Sequence, residues 1–339
     1  MADFFAIQDL NQCNRKLSTS GGFISLLASR FMQEGYSVYG AAFDDSMSLR
    51  HMQIVSSEDL LKTRGSKYLQ SDLREVFRSI KVKLLNGDKV LFVGTPCQIA
   101  GISSYLHNFP VNCENLMLIE LKCYGVASPG LFKKYVESIE NKYQAKINDI
   151  RFRDKEYGYS STAVKVFFQG REPLVNNFYA KSFSKTFFSG NNVRPSCYKC
   201  CFRDYMQSTA DFVVGDFHNI AKYDKKMDDD LGTSFVVALT HKANDCLKMI
   251  ELDTRVTRLY DYKERIPGNP TIPASRQAFF QDSKQISWEK LVKRYCSNSL
   301  IDDMVYWLKP IIAKSPFKKY LFQLIGEINN LKYKIKTSN

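Results

Sequence analysis

No apolar stretch of this chain runs uninterrupted to the ~20 residues that a membrane-spanning helix needs. Residues 1–10 carry no charged-then-apolar secretory signal, and the sequence shows neither an internal repeat nor a low-complexity segment. Histidine is scarce, with four in 339 residues, and His51, His107 and His241 have no companions that point to a role. Acidic residues are too few to balance the basic ones, 35 against 48, which leaves a net charge of +13. That surplus fits an anionic partner: a phosphorylated cofactor, an acidic redox protein, a lipid surface or a nucleic acid. No nucleic-acid-binding motif accompanies the dispersed lysines, so nucleic acid fits least well.

At this length a core forms without covalent staples. The nine cysteines are odd in number and irregular in spacing, which speaks against a disulfide framework. A reduced, cytoplasmic protein is expected, and in that compartment paired cysteines more often bind metal or do redox chemistry. Cys197 and Cys200 form a Cys-x-x-Cys pair behind Pro195, a spacing that lets two thiolates on one tight loop reach the same metal or cluster. Two further cysteines each sit where an apolar run meets a turn: Cys97 in Gly94-Thr95-Pro96-Cys97-Gln98, and Cys123 in Lys122-Cys123-Tyr124-Gly125. These four form the expected ligand set. Cys201 could substitute for Cys200, whereas Cys113, Cys246 and Cys296 read as buried or incidental thiols.

The fold class expected is α/β, with mixed α+β character. An alternating region spans 1–147, a mixed-strand part 148–266, and an extended segment with a basic helical tail 267–339. Ser20-Gly21-Gly22 opens a helix over 23–34, and a strand follows over 37–43. Such a loop offers bare N–H groups to a phosphate, although an ordinary cap explains it as well. An acidic helix start at 56–59 precedes Arg64-Gly65-Ser66-Lys67, a basic loop suited to an anion, and Ser71 is expected to cap the next helix, which Asn86-Gly87 ends. Runs at 89–93 and 115–121 read as buried parallel strands, with helices after Thr95-Pro96 and Ser128-Pro129. Cys97 and Cys123 therefore both follow strand ends, the edge of a parallel sheet where ligands gather. Strands are expected over 150–153, 164–168, 174–178, 212–215 and 234–239, and helices over 242–252, 287–295 and 302–312. A basic amphipathic helix over 314–336 fits packing on its own protein or on a second copy better than a peripheral membrane contact.

With these residues assembled, the chain resembles the coenzyme F420 hydrogenase/dehydrogenase beta-subunit family over roughly 18–297. The matching pieces are Ser20-Gly21-Gly22, 39–43, 64–68, 94–98, Cys123 with Gly125, Phe152-Arg153-Asp154-Lys155, the Cys197/Cys200 pair and Gly215-Asp216-Phe217. Their order and spacing carry the resemblance. It implies one FAD and one [4Fe-4S] cluster, with Ser20, Gly21, Gly22, Arg64, Ser66, Lys67, Thr95 and Gln98 lining the FAD and Cys97, Cys123, Cys197 and Cys200 holding the cluster. A ferredoxin-like run of cysteines is missing near the start, where only Cys13 occurs, so electrons would come from a separate ferredoxin-like protein or a soluble reduced cofactor. Tyr124 stands where the family has His, and His218-Asn219 where it has Trp-Gly. Both changes bear on substrate identity.

The function expected is thus an FAD- and [4Fe-4S]-dependent oxidoreductase passing electrons from an external donor to an organic substrate or partner enzyme. The alternative is a zinc-stabilised scaffold using the same four cysteines, and a third reading is a homologue that has lost the chemistry. No catalytic acid is assigned, because Asp216 reads as structurally bonded and His218 as exposed.

Overall fold

The computed structural model describes residues 2–260, 262 and 268–296, with scattered positions from 308 to 325. Eleven strands are present among them: β1 (Asp3–Asp9), β2 (Ser37–Phe43), β3 (Leu49–Ile54), β4 (Val90–Gly94), β5 (Leu116–Leu121), β6 (Ile147–Asp154), β7 (Ala163–Phe168), β8 (Arg171–Val175), β9 (Phe212–Asp216), β10 (Ser234–Ala238) and β11 (Thr254–Arg258). The helices are α1 (Gln12–Leu17), α2 (Phe23–Gln33), α3 (Ser57–Thr63), α4 (Val76–Leu85), α5 (Pro96–Leu106), α6 (Pro129–Tyr143), α7 (Phe178–Phe188), α8 (His241–Met249), α9 (Arg276–Asp282) and α10 (Trp288–Tyr295). The expected α/β class with mixed character is therefore observed.

Eight strands form one sheet in the order β11-β1-β10-β9-β5-β4-β2-β3. Its centre is parallel, because β2, β4, β5 and β9 run side by side in one direction. The flanks are antiparallel: β3 pairs with β2, and β1 lies between β10 and β11. Side-chain alternation then divides the core. Leu91, Ile119 and Val214 face α2, α3 and α8, while Val90, Phe92 and Leu118 face α4 and α5. A separate antiparallel sheet, β6-β7-β8, is backed by α6, α7, α9 and α10 around Tyr135, Phe183 and Trp288. The buried Trp288 indole donates to Ser182 Oγ at 2.8 Å, so the aromatic core leaves that polar group satisfied.

Strands β1, β3 and β11 and helices α1 and α7 are absent from the sequence expectation, and β8 is shifted from its expected place. β1, β3 and β11 carry Asp, Gln, His, Arg and Thr among their apolar residues, a pattern that antiparallel pairing tolerates but that buried parallel strands do not show. The strand expected at 174–178 stops at Val175, and Asn177 caps α7 by accepting from the Ala180 amide at 2.8 Å. α7 is rich in Phe, Ser and Thr, so its intrinsic preference hides a helix that packing enforces. Because β9, β10 and β11 return to the large sheet, the parts expected at 1–147 and 148–266 share it. The helices expected over 302–312 and 314–336 lie outside the described residues apart from isolated positions.

The loop before α2 is wedged against the sheet. A Cβ at Gly21 would stand 2.3 Å from the Ile7 carbonyl and 2.4 Å from the Ser234 amide, both backbone atoms that cannot swing aside. Gly21→Ala should therefore cost about 3 kcal/mol or more in urea unfolding, the upper range for overpacking; a loss under 1 kcal/mol would show that this loop is not wedged.

Candidate functional site

The carboxyl ends of β4, β5 and β9 open on one edge of the large sheet. β4 ends at Gly94, and Thr95 with Gln98 forms a capping box that starts α5 and puts Cys97 in its first turn. β5 ends at Leu121 and the chain turns through Cys123. The loop bearing Cys197 and Cys200 folds as a short 3₁₀ turn over Pro195–Lys199 and lies beside the Cys123 turn, with the Arg194 amide donating to the Val126 carbonyl at 2.8 Å. Gly125 suits that turn, since its φ of 152° is one that L side chains rarely adopt, and a Cβ there would stand 3.2 Å from Val193 Cγ1.

All four expected cysteines line one pocket of about 60 Å³, together with Leu69, Ser71, Thr95, Gln98, Arg194 and Arg203. That is several times the space of one water, and far too small for a flavin. Cys97 is exposed and the other three are partly buried, whereas Cys201 is exposed. Burial first, then the neighbouring Cys197 and Cys97, pushes the Cys123 thiol up to about 12; burial also raises Cys197. Bare thiols crowded in this way hold their protons, and a bound metal would displace them. Among the described residues no group of three or more His, Cys, Asp and Glu side chains is arranged for a single ion. A four-iron cluster takes one cysteine per iron and spreads its thiolates wider than a tetrahedral zinc with Zn–S of about 2.3 Å. Four thiols on one pocket are donors of the kind that hold an iron–sulfur cluster or a zinc ion.

Several residues that hold this pocket carried no sequence signal. Arg203 donates from Nη1 to the Cys123 carbonyl at 3.2 Å and from Nη2 to the Tyr124 carbonyl, fixing the turn. Tyr198, between the paired cysteines, is buried; its hydroxyl donates to the Gly190 carbonyl and accepts from Arg276 Nε at 3.0 Å. Arg276 also donates to the Val193 carbonyl at 3.1 Å, so α9 anchors the cysteine loop. An Arg in an ordinary amphipathic helix gives no hint of such a role.

The segment 64–71 links the pocket to the other expected residues. Ser66 Oγ lies 3.2 Å from Thr19 Oγ1, beside Ser20, while Leu69, Gln70 and Ser71 line the cysteine pocket. Arg64 Nη2 donates to Asn14 at 2.9 Å, but its Nε and Nη1 are buried with no hydrogen-bond partner among the described residues. A buried, half-satisfied guanidinium fits an anion such as a pyrophosphate. Lys67 differs: its ammonium donates to the carbonyls of Thr63, Arg64 and Gly65 at 3.0, 2.8 and 3.4 Å, closing the end of α3, and burial lowers its pKa to about 8. Ser20 Oγ donates to the Thr233 carbonyl at 2.6 Å and the Gly21 amide to Ser234 Oγ at 3.0 Å, so these groups fasten the loop to β10. Gly22 opens α2 as its cap residue. Thr95 and Gln98 bond each other, and Ser71 does not cap α4, because its hydroxyl is held by His51 and Gln98.

Of the 152–155 run, Arg153 pairs with Asp216 at the end of β9, and Lys155 donates to the carbonyls of Arg15 and Ser20 at 2.6 and 2.7 Å and to that of Leu231. The small sheet thereby grips the Ser20 loop. His218 is exposed.

The fold and this edge define an α/β protein that gathers thiols where parallel sheets hold their ligands. The family described as the C terminus of the coenzyme F420 hydrogenase/dehydrogenase beta subunit matches residues 87–258, about half of the chain. The chain belongs to this family and is of the oxidoreductase, electron-transfer type. The matched span contains all four cysteines, Thr95 and Gln98, whereas Ser20, Gly21, Gly22, Arg64, Ser66 and Lys67 precede it. Among solved structures, a chain of the F420-reducing [NiFe] hydrogenase complex from Methanosarcina barkeri, studied by xenon derivatization, is similar in fold at a TM-score of 0.50 and 18% identity, with 86% of this chain and 91% of that chain covered. No curated protein matches the sequence.

Glu120 on β5 is a further residue without a sequence signal. It is buried, and its carboxylate accepts from Ser208 Oγ at 2.5 Å, tying the loop after Cys200 to the sheet. Burial raises its pKa from 4.5 to about 7, opposed by the Ser208 bond. The folded chain thus binds a proton that the unfolded chain does not between those values, so this contribution to stability is present below pH 4.5 and is lost as pH rises through about 7. Glu120→Gln should remove about 2 kcal/mol of the stability difference between pH 5 and pH 8 in urea unfolding; an unchanged difference would mean that Glu120 is already ionised at pH 5.

Proposed function

We propose that this chain is a flavin and iron–sulfur electron-transfer subunit in which Cys97, Cys123, Cys197 and Cys200 hold one [4Fe-4S] cluster. The observation that carries this reading is the convergence of those four thiols, from three separate segments, on one small pocket at the carboxyl edge of the sheet. FAD would lie along the adjoining strip from Ser20, Gly21 and Gly22 through Arg64, Ser66 and Lys67 to Thr95 and Gln98. When bound, the two groups supply exchange between one-electron and two-electron chemistry. The chain's own part is to position and to shield. Arg203 and Gly125 set the Cys123 turn against Cys197, and Arg64 offers unspent donors to an anionic cofactor.

Electrons would arrive from an external donor such as ferredoxin or pass between this chain and partner enzyme subunits. Arg194 and Arg203 line the pocket and Lys199 is exposed on the cysteine loop, so the mouth of the site is cationic, as docking of an acidic redox protein requires. An organic substrate would meet the flavin where Tyr124 and His218 replace the residues usual in the family.

Protein purified without oxygen should show flavin bands over a broad iron–sulfur shoulder. Cys197→Ser should abolish iron and sulfide incorporation, and Cys201→Ser should leave it intact. Colourless protein containing zinc would instead establish the scaffold reading.

Flavin retention tests the anion site separately. Arg64→Leu should weaken it tenfold or more, the worth of a charge-assisted hydrogen bond, and Lys67→Ala by less, because that ammonium is already spent on its own loop. Equal flavin content in wild type and Arg64→Leu would remove Arg64 from the site.

A further inference from the structure

Behind the Cys97 corner runs a line of hydrogen bonds from His51 to Thr95 whose donors follow one from another. His51, on β3, is buried, and its ring stacks on Phe92 with centroids 5.1 Å apart. His51 Nε2 lies 2.9 Å from the Val93 carbonyl, which can only accept, so Nε2 carries the proton and Nδ1 must accept. Ser71 Oγ, 2.7 Å from Nδ1, is therefore the donor there, and its lone pairs receive Gln98 Nε2 at 2.9 Å. Gln98 Oε1 is left to accept from the Thr95 amide at 3.0 Å and from Thr95 Oγ1 at 3.1 Å. Thr95 Oγ1 in turn stands 3.4 Å from Cys97 Sγ. Burial lowers the His51 pKa, in keeping with a neutral ring.

A capping box needs only Thr95 and Gln98. The extension to Ser71 and His51 adds a second hold on the Gln98 amide: the Thr95 N–H fixes its oxygen, and Ser71 Oγ, itself held by His51, fixes its NH₂. Were that amide reversed, its NH₂ would face the Thr95 N–H, two donors would oppose each other, and the capping box beside Cys97 would be lost.

We propose that His51 and Ser71 are positioning residues for Cys97, locking the Gln98 amide in the one orientation that holds this cysteine towards its three partners. The consequence for cluster binding rests on the cluster reading above; the consequence for the Cys97 thiol does not. Outer-shell partners of this kind typically change metal affinity about 10–100-fold when removed.

The test compares Ser71→Ala, which breaks the line, with Ser71→Thr, which keeps a hydroxyl, and uses His51→Phe as a second break. Two readouts are taken on the full chain: iron and sulfide after anaerobic reconstitution, and alkylation rates of individual cysteines in the metal-free protein, mapped by peptide mass spectrometry. Ser71→Ala and His51→Phe should alkylate Cys97 several-fold faster than wild type with Cys197 unchanged, and should bind iron at least tenfold more weakly, while Ser71→Thr restores both. Wild-type behaviour of Cys97 in Ser71→Ala overturns the proposal, and so does equal acceleration at Cys97 and Cys197, which is general loosening. Should wild type itself take up no cluster, the cluster reading fails and the alkylation rates still decide the role of His51 and Ser71.

Discussion

The hydrogen bond from the Arg194 amide to the Val126 carbonyl joins two parts of the chain nearly seventy residues apart. One is the turn leaving β5, which carries Cys123; the other is the loop that carries Cys197 and Cys200. The adjacent bridge of Ala127 to Val193 extends that seam, and Leu69 pairs with Ala127 from its other side. Three segments are thereby laid against one another at a strand-end edge, which brings Cys123 beside Cys197 and Cys200, while Gln98 Nε2 on Ser71 Oγ ties the Cys97 turn to the Leu69 segment. Backbone pairing suits such a corner because it sets register without using the side chains that the site needs.

Charge then refines what pairing sets. Arg203, Arg276 and Lys155 each spend their donors on backbone carbonyls, a tyrosine hydroxyl or the Asn269 amide oxygen, two or three apiece, rather than on carboxylates. A cation held in this way stiffens a turn without bringing a second charge into the site. Part of the large positive surplus thus has a structural task, and because the acceptors are neutral the charge itself persists.

The central fold was readable because parallel strands buried on both faces leave continuous apolar runs, as at 90–94 and 116–121, and because Thr95-Pro96 and Ser128-Pro129 mark helix starts with residues suited to little else. The antiparallel β1, β3 and β11 were not readable, since their polar residues dilute the pattern. α7 was hidden because Phe, Ser and Thr form helices poorly until packing against Phe132, Tyr135 and Trp288 compels them. At the site, cysteines announce themselves by spacing and by the turns they occupy. The residues that orient them, Arg203, Arg276, His51 and Ser71, come from distant positions, and only the three-dimensional arrangement gives them a purpose. Ser71 shows the difficulty directly: a serine before an amphipathic run reads as a cap, but its hydroxyl is committed to a histidine twenty residues earlier.

β1 is the first strand of the chain, yet it is completed by β10 and β11, whose residues lie more than two hundred positions later. A chain growing from its amino end therefore leaves both edges of β1 unpaired until more than two hundred further residues have been made. Loop closure over such a distance is entropically slow, and unpaired strands are the surfaces through which nascent chains associate. The eight-stranded sheet becomes whole only after residue 258 has emerged, so its last edge is closed by a strand made long after the parallel centre.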